Sequence, residues 1–207
     1  MQIIKCEQGS PEWQHARMGI PTASQFDRII TPGGKLSAQS RDYMHHLLAE
    51  LLIGCPIDSP KTSWMERGTE LEGDAVCWYE FDRDVAVETV GFILADGGLW
   101  GCSPDRLVGT DGLLEIKCPS PQVHVGYMVE RDVDKAYRVQ LQGQMFVAQR
   151  AWTDICSYHP LMSAVVIRVE RDEEFIAKLE AALCEFCAQL EEAKERLGIM
   201  PREVVNA

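Results

Sequence analysis

Ser103-Pro104-Asp105-Arg106-Leu107-Val108-Gly109-Thr110-Asp111-Gly112-Leu113-Leu114-Glu115-Ile116-Lys117-Cys118 is the stretch on which the fold turns. Residues Asp105 to Val108 and Leu113 to Cys118 flank the turn-forming Gly109-Thr110-Asp111-Gly112, which is the pattern of a β-hairpin. On the second strand Leu114, Ile116 and Cys118 point into a core, so Glu115 and Lys117 share the opposite face. A three-residue loop would set Asp105 directly across from Glu115. Like charges at that separation are destabilising unless something positive lies between them. A divalent cation such as Mg²⁺, which takes carboxylate, carbonyl and water oxygens, would supply that charge. Lys117 could then hold or deprotonate a water there, and the hairpin reads as a phosphodiester-cutting site. The Glu-x-Lys spacing carries little by itself, because Glu192-Ala193-Lys194 repeats it on what reads as a solvated helix face.

Around the hairpin the chain reads as one α/β domain over residues 1–207, with a central mixed β-sheet flanked by helices. Ser10-Pro11-Glu12 opens a short helix, with Ser as N-cap and Pro at its first position. Thr22-Ala23-Ser24-Gln25 has the capping-box pattern of a second helix, ended by Pro32-Gly33-Gly34. Helices are expected at 38–53, from Ser63-x-x-Glu66 to about Asp82, and at about 134–149. Strands are expected near 85–95, 99–103, 105–108, 113–118, 152–159 and 163–170. A long amphipathic helix over about 172–197 is stopped by Gly198 and Pro201.

Composition narrows the setting. Apolar residues make up 46% and charged residues 25%, ordinary for a soluble globular protein. No apolar run reaches membrane-spanning length and Met1-Gln2-Ile3-Ile4-Lys5 is no signal peptide, so the expected location is the cytoplasm. The eight cysteines lie in apolar surroundings, with one C-x-x-C at Cys184 and Cys187, and read as reduced, mostly buried thiols. The five histidines form no ligand cluster, which argues against zinc. A net charge of −12 is unusual for a nucleic-acid binder. Much of it is local: residues 170–196 carry nine acids and four bases. DNA would then follow a basic lane drawn from Arg17, Arg28, Lys35, Arg41, Arg67, Arg131, Lys135 and Arg138.

Two further groups stand out. Glu72 heads a stripe with Ala75, Val76 and Tyr79; it is either an inward carboxylate in need of a cation or a surface acid at the stripe's edge. Arg17 precedes Thr22-Ala23-Ser24, where the guanidinium, the Ser24 hydroxyl and helix N–H groups could bind a phosphate; the alternative is a surface arginine beside an ordinary capped helix. Gln140 alone is a polar helix residue.

In order, the chain carries Trp13…Arg17…Thr22-Ala23-Ser24, Gly68-x-x-x-Glu72-x-x-Ala75-x-x-x-Tyr79-Glu80, Cys102-Ser103-Pro104-Asp105…Glu115-Ile116-Lys117-Cys118-Pro119 and Tyr137-x-x-Gln140-x-Gln142-x-x-Met145. This set resembles the bacteriophage lambda exonuclease family, the YqaJ-type phage recombination nucleases of the PD-(D/E)XK superfamily, over about residues 8–197. The resemblance implies a Mg²⁺-dependent 5′-to-3′ exonuclease on linear duplex DNA ends, with Mn²⁺ as a substitute. It would release mononucleotides and leave 3′ overhangs for strand-annealing recombination. It implies that two metal ions are held by Glu72, Asp105, Glu115 and the Ile116 carbonyl, with Lys117 as the catalytic lysine. Arg17, Ser24, Ser103 and Gln140 would grip the terminal 5′ phosphate, and Met65 would be the strand-separating wedge. The implied assembly is a homotrimeric ring, the implied partner a single-strand annealing protein. Two alternatives are another PD-(D/E)XK endonuclease or Cas4-like iron–sulfur nuclease, for which the grouped cysteines are too few, and an acidic non-catalytic interaction protein.

Overall fold

The computed structural model describes residues 1–57, 63–133 and 135–200, the side chains of 63–66, 69 and 136 apart. In chain order the elements are β1 (Gln2–Ile4), α1 (Pro11–Arg17), a 3₁₀ helix (Ala23–Arg28), α2 (Ser40–Ile53), α3 (Ser63–Arg83), β2 (Val87–Thr89), β3 (Phe92–Leu94), β4 (Gly101–Cys102), β5 (Arg106–Val108), β6 (Gly112–Lys117), α4 (Pro121–Glu130), α5 (Lys135–Ala148), β7 (Trp152–His159), β8 (Met162–Glu170) and α6 (Glu173–Arg196). The expected mixed sheet flanked by helices is there, as five strands in the order β2-β5-β6-β7-β8.

Strand β6 lies in its middle, antiparallel to β5 and parallel to β7. A parallel neighbour needs a long crossover, here supplied by α4 and α5. Being covered on both faces, β6 is buried from Gly112 to Ile116, as a central strand with a parallel partner should be. On one face Leu114, Ile116 and Cys156 pack against Ala75 and Tyr79 of α3. On the other, Ile155 and Val165 pack against Tyr127 of α4. The largest core lies beyond the sheet, where α2, α5, α6 and the 3₁₀ helix meet around Phe26, Tyr43, Leu47, Met145 and Leu183. Helix α6 turns Phe175, Leu179, Leu183, Phe186 and Leu190 into that core, the stripe expected of an amphipathic helix.

Several expectations are corrected. The run read as a strand near 85–95 divides: β2 joins the large sheet, whereas β3 joins a separate antiparallel sheet in the order β1-β3-β4. Gly91 sits at the division, where a Cβ would run into the backbone of Ile4 and Cys6, so only glycine lets β1 approach so closely. The strand expected at 99–103 shortens to Gly101–Cys102. The Thr22 segment forms a six-residue 3₁₀ helix, and the Thr22 side chain makes no capping bond. Helix α4 and strand β1 were not expected. All eight cysteines are free, but Cys55, Cys77 and Cys184 are exposed, against the expectation that most are buried. No described helix is long and apolar enough to cross a membrane.

Candidate active site

The β5–β6 hairpin closes through the three residues Gly109–Asp111, with Leu107 paired to Leu113 and Arg106 to Leu114. Gly109 takes a left-handed φ of 53°, which suits a tight turn. One step further along this register brings Asp105 opposite Glu115, as the sequence required. Asp105 Oδ2 accepts a 2.6 Å hydrogen bond from the Ile116 N–H. Its position is further fixed by Gln8, whose Nε2 donates to the Pro104 carbonyl at 2.9 Å.

Glu115 is only 4% exposed. A buried carboxylate must be hydrogen-bonded or paired, and this one is both. Its Oε1 accepts from Lys117 Nζ at 2.6 Å and from Gln140 Nε2 at 2.7 Å. Its Oε2 accepts from Gln144 Nε2 at 2.9 Å. The two glutamines stand one turn apart on α5, which brings both amides to one face of the helix. The Lys117 ammonium also lies 4.9 Å from the centroid of the Tyr137 ring. Burial alone would lower the Lys117 pKa, but the Glu115 carboxylate outweighs it and holds the ammonium above its ordinary value. This differs from the lowered pKa expected of a general base: Lys117 stands here as a proton-bearing donor. Burial, then the Glu115 charge, push the Asp105 carboxyl well above the usual carboxylate range, and Glu72 adds to the rise.

Glu72, on α3, is reached by Arg106: Nη1 lies 2.9 Å from Glu72 Oε1 and 2.6 Å from the Asp105 carbonyl oxygen. Asp105 and Glu115 suit a divalent cation: they are hard oxygen donors of like charge held close together, Glu115 buried and Asp105 half-buried. Glu72 comes toward them through Arg106. Among the described residues no three His, Cys, Asp or Glu side chains gather tightly enough to hold a metal ion. The cysteines offer no such cluster either: Cys184 is exposed, while Cys187 is buried with its thiol 3.6 Å from the Leu99 carbonyl.

A second constellation adjoins the first. The Trp13 indole N–H donates to Ser103 Oγ at 2.8 Å. The Arg17 guanidinium stacks 3.9 Å from the centroid of the Trp13 ring. Arg17 Nη2 lies 3.4 Å from Thr22 Oγ1, which in turn lies 3.3 Å from Ser24 Oγ. Trp13, Arg17, Thr22 and Arg28 line a cavity of about 240 Å³. Arg17 Nε is buried there without a hydrogen-bond partner, and burial lowers the arginine's pKa. A buried cation with an unused donor beside two hydroxyls is suited to an anion. The α-helix whose free N–H groups were expected here is a six-residue 3₁₀ helix.

The structure thus brings Arg17, Ser24 and Ser103 together through Trp13 and Thr22, and Asp105, Glu115 and Lys117 together on the hairpin. Gln140 joins the second set through Glu115, not the first. The Met65 side chain lies outside the described residues. Gln144, Arg106 and the linking role of Trp13 went unforeseen. Gln144 could have been found as the residue four positions after Gln140, whereas nothing local marks Arg106.

Residues 12–151 match the YqaJ-like viral recombinase domain. The chain belongs to that family. Among solved structures, this YqaJ-like chain is similar to an alkaline exonuclease from Laribacter hongkongensis, with 34% identity and a TM-score of 0.82 over 91% of this chain and 96% of that one. The same enzyme in complex with dAMP matches equally well. A phage-related exonuclease from Haemophilus somnus 129PT matches with a TM-score of 0.65 and 14% identity, over 86% of this chain and 96% of that one, a likeness of fold alone. No curated protein matches the YqaJ-like chain.

Proposed function

We propose that this YqaJ-like protein is a Mg²⁺-dependent exonuclease that removes mononucleotides from the 5′ ends of linear duplex DNA and leaves 3′ single strands for annealing recombination. The observation that carries this reading is the hairpin itself: Asp105 faces Glu115, and Lys117 is bonded to Glu115, in a half-buried site. Two acids so placed need a cation beyond the single lysine. The resemblance to an alkaline exonuclease, one of whose structures holds the deoxymononucleotide dAMP, supports the same substrate class.

Asp105, Glu115 and the Ile116 carbonyl would hold the ion or ions, with Glu72 joining them, and Mn²⁺ would substitute for Mg²⁺. When bound, such ions supply Lewis acidity to the phosphoryl group. Lys117, whose Nζ is bonded to Glu115, is placed to hold the attacking water. Gln140 and Gln144 hold the Glu115 carboxylate in one orientation, which fixes Lys117 in turn. Arg17, Ser24 and Ser103 bind the terminal 5′ phosphate, and Ser103, two residues before Asp105, sets how far that phosphate lies from the cutting site. Fixing the end this way selects one bond for hydrolysis and disfavours internal sites. The ring trimer and the annealing partner belong to the same reading, as does Met65 as a wedge.

The test is digestion of linear duplexes bearing 5′-phosphate or 5′-hydroxyl ends, with and without Mg²⁺. Phosphorylated ends should be degraded faster, and chelation should stop the reaction. Lys117→Ala should abolish cleavage while DNA binding survives. Arg17→Ala should cut the preference for phosphorylated ends by roughly one to two orders of magnitude, the scale of a lost charge-assisted contact. Cleavage by Lys117→Ala at near wild-type rate would remove the hairpin as the cutting site.

A further inference from the structure

Arg106 follows Asp105 directly, yet its side chain serves a different acid. Paired with Leu114 in the hairpin register, it projects toward the α3 side of the sheet, where its Nη1 meets Glu72 Oε1 at 2.9 Å. The same nitrogen donates to the Asp105 carbonyl at 2.6 Å. The arginine side chain is 19% exposed and that of Glu72 33%, so the pair is partly shielded from water. The charges around the hairpin then fall into a pattern. Glu115 has Lys117, Glu72 has Arg106, and Asp105 has the Ile116 N–H. Three carboxylates against two paired cations leave the group with one negative charge unbalanced.

We propose that Arg106 is a built-in stand-in for a divalent cation at Glu72. In the metal-free protein it holds Glu72 beside the hairpin and screens it from Asp105. When a divalent ion enters, Arg106 gives up Glu72 Oε1, because a dication and a guanidinium cannot both be accommodated closely there without mutual repulsion. The affinity of the site is therefore an exchange, set by the ion's attraction minus the loss of one charge-assisted hydrogen bond. This inference rests on the metal-dependent reading above and adds the residue that tunes it.

Calorimetric titration of the DNA-free full chain with Mn²⁺ and with Mg²⁺ tests it, comparing wild type, Arg106→Gln and Arg106→Lys. Arg106→Gln should bind the ions about tenfold more tightly, the scale of one charge-assisted hydrogen bond no longer to be displaced. Arg106→Lys, which keeps the competing charge, should stay near wild type. In chelator Arg106→Gln should melt lower than wild type, and its gain in Tm on adding Mg²⁺ should be larger. Unchanged or weaker ion binding by Arg106→Gln would overturn the stand-in role while leaving a metal site in place. Absence of saturable binding by the wild-type protein would overturn the metal reading itself, and this inference with it. Should Arg106→Gln fail to fold, the arginine side-chain NMR signals of the wild-type protein decide. The guanidinium signal missing from Arg106→Lys should shift on Mg²⁺ addition, and a signal that stayed fixed would overturn the exchange.

Discussion

Asp105 is poorly accommodated as a carboxylate in the metal-free protein. Its folded pKa lies above the ordinary carboxylate value, through burial first and the Glu115 charge second. The stabilising contribution of such a group is complete below the ordinary carboxylate pKa and is lost as pH rises through the folded pKa. In chelator near neutral pH, Asp105→Asn should therefore raise Tm, by about 2–4 °C for each kcal/mol relieved in a domain of this size. The gain should vanish as pH falls to about 4, where both proteins carry a neutral group. Melting curves in EDTA across that range measure it; an Asn variant no more stable at neutral pH would mean that the pair is not strained. The acid pair could be read from the sequence because period-two alternation and a three-residue loop dictate who faces whom. What Glu115 leans on was legible only in part. Gln144 stands four positions after Gln140 on the same helix face, but no local sign says that this face is buried against Glu115. Arg106 is similarly opaque, since its partner Glu72 lies 34 residues away.

At the scale of single elements, α6 depends on the residue that caps it more than its length suggests. Asp172 Oδ1 accepts the Phe175 N–H at 3.0 Å, while Oδ2 takes Arg138 of α5 at 2.6 Å. Arg138 is thereby drawn out of the basic lane expected from the sequence. The Phe175 N–H holds the Asp172 pKa below its ordinary value, so the stabilisation is present above that value and lost as pH falls through the folded pKa. Asp172→Ala should cost about 1 kcal/mol at neutral pH, the usual worth of an N-cap. The Tm gap between wild type and variant should narrow as pH falls below the ordinary aspartate range; a gap constant into strong acid would make the effect one of packing. Helix α6 was legible because its stripe is long and regular. Helix α4 was not: Val123, Val125 and Val129 face outward, so its apolar residues mark no buried face. Its opening Ser120-Pro121 was the one local sign, and Ser120 makes no side-chain cap. Strand β1 is three residues long and is defined by its partner β3, too short for alternation to register.

The whole molecule carries −12, and the cations of α6 are spent on their own helix: Lys178 on Glu174, Lys194 on Glu191 and Arg196 on Glu192. Helix α6 thus offers duplex DNA few free cations, and non-specific affinity comes largely from neutralised phosphates. A closed ring, the proposed homotrimer, would surround one duplex with several basic surfaces and keep α6 outside. Light scattering should then give a trimer mass, and digestion should be processive and slow steeply with added salt. A monomer mass at about micromolar concentration, with distributive digestion, would sink the ring and leave the hairpin chemistry standing. The parallel pairing of β6 with β7 has a different consequence, one that concerns biosynthesis. Chains are made from the N-terminus, and the hairpin, being local, can form soon after it leaves the ribosome. Gln140 and Gln144 arrive 25 and 29 residues after Glu115, and β7 follows them. A nascent chain halted before α5 carries both acids and Lys117 but neither of the two amides that hold the Glu115 carboxylate, so the site is complete only once translation has passed the crossover.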